Sequence, residues 1–113
     1  MSAVIVPILP DQIDAWKAWN REVVEDRKAE FNDFNDRFGI TSHRVWFAES
    51  PDGPVAVVVH DGPGADSFMG KVAESEHEFD QWFRESISRF HGVDFSQPFP
   101  GPAPVSMLEW SKE

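Results

Sequence analysis

The sequence contains no cysteine and few basic residues. Without cysteine, disulfide bonds, thiolate nucleophiles, zinc ribbons and iron–sulfur clusters are excluded, and a cytoplasmic location is the natural expectation. Ten Lys and Arg stand against 20 Asp and Glu, a formal net charge of −10 that repels phosphate backbones. We therefore predict no nucleic-acid partner. No signal peptide or membrane-spanning apolar run is present either, so we predict no membrane partner.

The residues that are present are typical of one globular domain spanning residues 1–113. Hydrophobic residues make up 41% of the chain, and the aromatic residues are ten Phe and five Trp with no Tyr. This composition can form a buried core, and a chain of this length does not divide into two domains.

Hydrophobic periodicity predicts six main elements and one short helix. The predicted elements are a strand over 2–9, a helix over 11–38, a hairpin over 41–62, a short helix over 63–73, a helix from 75 to 91 and a strand over 104–110. Pro7 cannot donate to a strand ladder, so it must lie at a strand end or on an edge. The first helix is expected to weaken near Asn32–Asn35, where helix propensity is poor.

Local signals mark where the helices begin and end. Gly39 and Gly92 are typical helix C-caps, and Ser75 with Glu78 matches a capping box that would start the second main helix. The following segment, 92–104, is rich in proline. We expect Phe95 and Phe99 to pin it against the body of the protein.

The register of the hairpin "TSHRVWFAESPDGPVAVVVHDG" decides which residues face each other. Ser-Pro-Asp-Gly favours a type I turn with a glycine bulge, which would place His43 opposite Asp61. A two-residue loop would instead place His43 opposite His60. We predict the bulged register, although a slip of one residue exchanges the two faces of a strand.

The order of elements predicts an α+β fold of the ferredoxin-like β-α-β-β-α-β type. Right-handed crossovers would place the first and third strands in the centre of a four-stranded antiparallel sheet, with both main helices on one face. Large apolar residues on both faces of the hairpin indicate that the second face is also covered. A second copy of the same sheet would cover it, so we expect a homodimer.

The run "SEHEFDQWFRESISRFHGVDF…PGPAP…W" and the order of elements resemble the dimeric α/β-barrel superfamily, in particular small bacterial members without an assigned role. The resemblance covers nearly the whole chain and implies that two four-stranded sheets form a dimeric barrel. Members with known roles include cofactor-free monooxygenases, polyketide cyclases, muconolactone isomerases, sugar mutarotases and haem-handling enzymes. No catalytic set of these families carries over to this chain, so the resemblance implies a fold and no activity.

Three polar residues of the hairpin are the candidate catalytic groups. His43 beside Asp61 would form a pair in which the carboxylate fixes the imidazole tautomer and raises its basicity. The alternative is a solvent-exposed hydrogen-bonded pair at a strand end. His60 lies at the end of an apolar run and either points into a pocket or is a satisfied interface histidine.

Four further residues are candidate ligand-binding groups. Asn20 and Arg27 interrupt the apolar stripe of the first helix, where a guanidinium could clamp a carboxylate or bridge to an acidic neighbour. Trp46 and Trp82 could contribute to an aromatic cradle, and Trp19 lies off the main stripe and could line a groove. We predict no metal site, because neighbouring helix positions such as His77 and Glu78 point in different directions.

The leading hypothesis is a homodimer in which each subunit holds an apolar small molecule between its sheet and its helices. Compatible reactions are proton transfer, isomerisation, cyclisation or cofactor-free oxygenation, with a histidine as base. The alternative is a non-catalytic ligand-binding or structural homodimer. We predict no cofactor, although histidines alone can ligate haem, which an absorbance spectrum would reveal.

Overall fold

The computed structural model describes residues 1–94 and 105–112. Its elements in chain order are β1 (Ser2–Pro7), α1 (Ile13–Glu25), α2 (Lys28–Arg37), β2 (Ser42–Ser50), β3 (Gly53–Asp61), α3 (Phe68–Glu74) and α4 (Glu78–His91). Short 3₁₀ turns at Pro10–Gln12 and Ala65–Ser67 precede α1 and α3. The predicted α+β class agrees with this order, and the predicted strand topology does not.

The sheet has three antiparallel strands in the order β1-β3-β2 within the described ranges. The predicted four-stranded sheet, and with it the dimeric barrel of two such sheets, is wrong, because residues 105–110 form no strand and are exposed. The reason lies in their pattern: apolar and polar residues do not alternate in "VSMLEW", so a strand there would have no purely apolar face. Pro7 ends β1 on an edge of the sheet, as predicted.

The hairpin register differs from the predicted one by a residue. Ser50 pairs with Gly53, and His43 therefore lies opposite His60 rather than opposite Asp61. The Ser50 hydroxyl donates a hydrogen bond to the Gly53 carbonyl at 2.7 Å, which closes a two-residue loop. Gly53 has a φ of 122°, which a residue with a side chain rarely adopts. Because it pairs with Ser50, the glycine already belongs to β3 instead of forming a bulge.

This register gives the sheet two distinct faces. The inner face, which the helices cover, consists of Val4 and Val6 of β1, His43, Val45 and Phe47 of β2, and Ala56, Val58 and His60 of β3. The outer face consists of Ala3, Ile5, Arg44, Trp46, Ala48, Val55, Val57 and Val59. On the outer face Ile5 is 59% exposed and Trp46 is 48% exposed. Nothing in the described ranges covers this apolar surface.

The predicted long helix is divided into α1 and α2. The break falls at Asp26 and Arg27, whose backbone N–H groups both donate to the Glu22 carbonyl at 2.9 Å, and not at the predicted weak point near Asn32. Gly39 and Gly92 follow α2 and α4 with φ of 69° and 64°, so both predicted helix ends are confirmed. The break redirects α2 so that Phe34 is fully buried in the core.

An aromatic cluster around Phe34 fixes α2 against α3 and α4. The Phe34 ring lies with centroid distances of 5.6 Å from Phe68, 5.3 Å from Phe79 and 4.7 Å from Phe83. These side chains are nearly inaccessible to solvent. Aromatic pairs at these separations add to the large apolar area that each ring buries.

A buried ion pair replaces the predicted capping box. Ser75 donates its hydroxyl to the Asp80 carboxylate instead of capping α4, which begins at Glu78 without a side-chain cap. Both guanidinium Nη atoms of Arg37 bind the two oxygens of Asp80 at 2.8 Å. Burial raises the pKa of the Asp80 carboxyl, but the bonds from Arg37 and Ser75 outweigh burial and hold the pKa below its ordinary 3.8. This pair joins α2 to α4.

The predicted contacts of Phe95 and Phe99 lie outside the described residues.

Candidate functional site

A cavity of about 470 Å³ lies between the inner face of the sheet and the helices. Its volume is in the range of small-molecule sites in proteins. The inner-face residues other than Phe47 line it together with Trp16, Trp19, Asn20 and Val23 of α1, Phe31 of α2, Phe68 and Met69 of α3, and Phe83, Ile87 and His91 of α4. Most of these side chains are apolar, so the cavity suits a largely apolar guest.

The sequence places these side chains by two periodicities. Along each strand, alternate residues point to the inner face, which brings His60 to the same side as Val58 and Ala56. Along α1, Trp16, Asn20 and Val23 recur at steps of four and three and face the sheet. Ala56, which is fully buried, is the smallest side chain on the inner face. A small side chain at the centre of the sheet leaves space that a larger one would fill.

Two histidines form a hydrogen-bonded pair in the wall of the cavity. The Nε2 atoms of His43 and His60 are 3.2 Å apart, and the His43 Nδ1 is 3.0 Å from the Asn35 Oδ1. The two rings meet edge to face with centroids 4.3 Å apart, and the Phe68 ring lies 4.4 Å from the His60 ring. The side chain of His60 is only 1% exposed.

Both histidines are uncharged at neutral pH. Burial lowers the pKa of His43 well below 6.5, and the neighbouring His60 lowers it further. Burial also lowers the pKa of His60, although the nearby Asp61 carboxylate opposes this effect. No carboxylate forms a hydrogen bond with either ring in the described part of the chain. An imidazolium in this wall would therefore have no hydrogen-bonded counter-ion.

Two buried polar atoms have no hydrogen-bond partner within the ranges 1–94 and 105–112. They are the indole Nε1 of Trp19 and the Nδ1 of His60. Both side chains line the cavity. Buried polar atoms without partners are uncommon and costly, and these two belong to side chains in the lining of the cavity.

A second, polar hollow of about 380 Å³ lies on the other side of His43. It is lined by Asn32, Asn35, Asp36, Ile40, Thr41, Ser42 and His43. His43 lines both spaces, and its partner Asn35 lies in the polar one. The histidine pair thus connects the apolar cavity to a polar surface hollow.

The structure brings together three of the seven predicted site residues. His43, His60 and Asn20 line the cavity, where the Asn20 Nδ2 donates to the Trp16 carbonyl at 2.8 Å. The predicted pair of His43 with Asp61 is not formed. Asp61 instead lies 3.4 Å from the guanidinium of Arg44.

The remaining predicted ligand-binding residues lie outside the cavity. Arg27 binds Glu22 at 3.0 Å and places its guanidinium 4.1 Å from the centroid of the Trp82 ring. This is the bridging role that was the alternative to clamping a ligand. Trp46 lies on the outer face, with the Arg44 guanidinium 5.5 Å from its ring.

Sequence reasoning missed Asn35, which lines the polar hollow, and His91, which lines the cavity, and it assigned no definite role to Trp19. Asn35 lies one helical turn after Phe31, and His91 lies one turn after Ile87; Phe31 and Ile87 both line the cavity. These steps of four are the signal that could have identified both residues. The His91 Nδ1 donates to the Pro7 carbonyl at 2.8 Å and so ties α4 to β1.

Comparisons of the chain with protein-family models, with curated proteins and with solved structures find no match. The resemblance to the dimeric α/β-barrel superfamily therefore has no support. Across the described ranges, no three His, Asp or Glu side chains gather into a group that could hold a metal ion. The helices observed in those ranges are too short or too polar to cross a bilayer.

Proposed function

We propose that the protein binds an apolar small molecule in the cavity between the inner face and the helices. The observation that carries this proposal is the cavity itself: about 470 Å³, mostly apolar in its lining, with a histidine pair in its wall. Ligand sites in proteins typically combine a concave apolar surface with a few polar groups that orient the guest. A packing defect of this size would be a costly feature without a compensating role.

Neighbouring residues on β3 provide a matched pair of variants for testing this proposal. Val58 lines the cavity, and Val57 points to the outer face. Val58→Phe should narrow the cavity, whereas Val57→Phe adds the same apolar volume on the opposite side of the sheet. A suitable probe is uncharged N-phenyl-1-naphthylamine, whose fluorescence rises in apolar surroundings.

Wild type and Val57→Phe are expected to bind one probe molecule per chain, and Val58→Phe is expected to bind it more weakly than either. Circular dichroism and thermal unfolding of the variants provide the folding control. Binding that survives in Val58→Phe but is lost in Val57→Phe would place the probe on the outer face and refute the cavity proposal. Absence of binding to wild type would refute it as well.

A second candidate function is proton transfer on the bound molecule, as in an isomerase or cyclase. The observation that favours it is the neutral histidine pair, which links the apolar cavity to the polar hollow beside Asn35. One ring would accept a proton from the bound molecule and pass its own proton to the other ring through the Nε2–Nε2 contact. The same burial that keeps both rings neutral makes them weak bases, which limits the reaction to an acidic proton.

This candidate is tested by exchange of the α-protons of an apolar ketone, such as 2-tetralone, in deuterated water. The protein should accelerate exchange above the buffer rate, and His60→Gln should abolish the acceleration while ligand binding persists. Equal exchange rates with and without the protein would refute the catalytic function and would not affect the proposal that the cavity binds a ligand.

We further propose that the outer face pairs with a second copy of the chain. Its exposed Ile5 and Trp46 and its central valines support this proposal, because apolar sheet faces of this kind are normally covered. Sedimentation equilibrium should give a dimer for wild type and a monomer for Trp46→Glu. A monomeric wild type at micromolar concentration would contradict it. The acidic composition and the absence of cysteine support a cytoplasmic location for this assembly.

A further inference from the structure

The outer face of the sheet carries one continuous apolar patch that extends across all three strands. The register places Ile5, Val57 and Trp46 side by side in its central row. The rows on either side add four smaller apolar side chains, which are Ala3, Ala48, Val55 and Val59. Neighbouring side chains on one face of a sheet are close enough to touch, so these groups form a single surface. A surface of this kind is normally covered by another one.

The patch is electrically balanced, although the chain has a formal net charge of −10. The charged side chains on the outer face of β2 and β3 are Arg44 and Asp61, which lie 3.4 Å apart and compensate each other. Two copies of so acidic a chain repel each other, and a neutral apolar patch is where they can approach at a small electrostatic cost. A cationic partner, by contrast, would find no excess negative charge on this patch. The charge distribution therefore fits a second copy of the chain.

A second exposed apolar surface lies in the segment 105–110, with the sequence "VSMLEW". Four of its six side chains are large and apolar, and they are 77% to 89% exposed: Val105, Met107, Leu108 and Trp110. None of the four is therefore buried against the sheet or the helices of its own chain. The same chain thus contains an uncovered apolar patch and an uncovered apolar segment, and each can cover the other.

The chain leaves its folded body beside an edge of the sheet. The Leu9 N–H donates to the Phe90 carbonyl at 2.9 Å, and the His91 ring is hydrogen-bonded to the Pro7 carbonyl at 2.8 Å. These bonds hold the end of α4 against the end of β1, which is an edge strand and carries Ile5 of the patch. The segment 105–110 follows ten residues later, and a chain of that length spans at most about 40 Å. The segment can therefore reach an outer face on a neighbouring molecule.

We propose that the segment 105–110 of each copy packs on the outer face of the other, so that two chains hold each other by exchanged arms. This inference rests on the proposed pairing of the outer face with a second copy and names the contact that stabilises the pair. The patch and the segment are both exposed within a single chain, which favours another molecule over the chain's own sheet. Glu109, the charged residue of the segment, complements Arg44 beside the patch, whose side chain is 55% exposed.

Two charge substitutions test whether the segment stabilises the dimer. Leu108→Glu places a carboxylate in the segment, and Val24→Glu places one at an exposed apolar position of α1, on the helical side of the sheet. Both variants add the same charge, so general repulsion between copies is matched. Sedimentation equilibrium should give a dimer dissociation constant at least about tenfold higher for Leu108→Glu than for wild type, and an unchanged constant for Val24→Glu. Circular dichroism provides the folding control.

Introduced cysteines locate the contact, because the chain has none of its own. An equimolar mixture of Ile5→Cys and Leu108→Cys chains is treated with a flexible bis-maleimide. Mass spectrometry should find position 5 of one chain linked to position 108 of the other. The same mixture with Lys71→Cys in place of Ile5→Cys should give no such link, because Lys71 is exposed on α3, on the helical side of the sheet. If a chain with both Ile5→Cys and Leu108→Cys is linked only within itself, the segment covers its own sheet and the inference is wrong.

The failure of the inference is distinguishable from that of the proposed pairing. A wild type that is monomeric at micromolar concentration refutes the pairing and the exchange of segments together. A dimer that Trp46→Glu dissociates and Leu108→Glu leaves intact supports pairing through the outer face and overturns the role of the segment. Neither result affects ligand binding in the cavity, which the fluorescent probe tests separately.

Discussion

Two polar clusters lie under the surface of this protein, and they differ in how completely their hydrogen bonds are made. In the first, the Asp80 carboxylate is fully buried and accepts bonds from both Nη atoms of Arg37 and from Ser75. In the second, His43 and His60 bond to each other and leave the His60 Nδ1 without a partner among the described residues. The first cluster is charged and satisfied, and the second is neutral and incomplete.

The difference separates a structural cluster from a candidate binding site. A satisfied buried ion pair joins two helices and has nothing left to offer a ligand. The neutral histidine cluster keeps one ring nitrogen without a hydrogen-bond partner, which lowers the stability of the folded state. This contrast makes three predictions, ordered here from the largest expected effect to the smallest.

Asp80→Asn breaks the satisfied cluster and should have the largest effect. Loss of the charge leaves Arg37 without its buried counter-ion, so the free energy of unfolding should fall by about 3 kcal/mol. Urea denaturation followed by circular dichroism measures the change. The matched control is Asp33→Asn, because Asp33 binds the same arginine at 2.8 Å but is 57% exposed. In the control the free energy of unfolding should fall by less than about 1 kcal/mol. An equal fall in both variants would mean that the buried Asp80 and the exposed Asp33 contribute alike.

Acid should destabilise the protein through the incomplete cluster. The histidine pKa values are lowered on folding, so the folded state resists protons that the unfolded chain takes up below pH 6.5. The free energy of unfolding should be steady above pH 7 and fall between pH 6.5 and pH 5.5, by about 1 kcal/mol for each of His43 and His60 and by a further contribution from His91. The lowered pKa of Asp80 acts only below 3.8, outside this interval.

A double variant, His43→Phe with His60→Leu, isolates this pH effect. This variant should lack the loss of stability in acid that comes from the pair and retain the loss that comes from His91. Burial also lowers the pKa of His91, although the hydrogen bond from its ring to the Pro7 carbonyl opposes this effect. A double variant with the same fall in stability as wild type would show that the pair is not the source.

Replacement of the histidine pair should cost little at neutral pH. His60→Leu alone leaves the Nε2 of His43 without its hydrogen-bond partner, so the free energy of unfolding should fall by about 1 to 2 kcal/mol. The double variant removes both polar partners and should cost less than about 1 kcal/mol, so the second substitution restores stability. Urea denaturation at pH 7 checks the order. A double variant less stable than the single one would mean that the pair contributes to stability in the way the Asp80 cluster does.

The sequence predicted the inner architecture better than the edges. The 3.6-residue and two-residue periodicities predict which residues share a face of a helix or a strand, because burial of apolar neighbours dictates those faces, and in the structure Asn20 and His60 both line the cavity. The hairpin register was predicted wrongly, since Pro-Asp-Gly fits both a bulged and a two-residue loop and only packing selects between them. The absent fourth strand shows that short apolar runs at a chain end do not determine a strand.

The contacts of Asp80 and Asn35 were beyond sequence reasoning for a different reason. Arg37 and Asp80 are 43 residues apart, and nothing local indicates that they pair. Asp80 itself is fully buried. Asn35 was noted only as a poor helix former, whereas it orients His43. Long-range pairing of polar side chains leaves no periodic pattern in a sequence.

The nitrogen NMR spectrum of histidine-labelled protein tests the central claim most directly, because it reports the protonation of each imidazole nitrogen. The account predicts that both imidazoles are neutral at pH 7 and that the resonances of His43 and His60 shift when N-phenyl-1-naphthylamine is added, while the Trp46 indole N–H on the outer face does not move. An imidazolium at either position at pH 7, or a titration that moves the Trp46 indole and leaves both histidines unchanged, would contradict it.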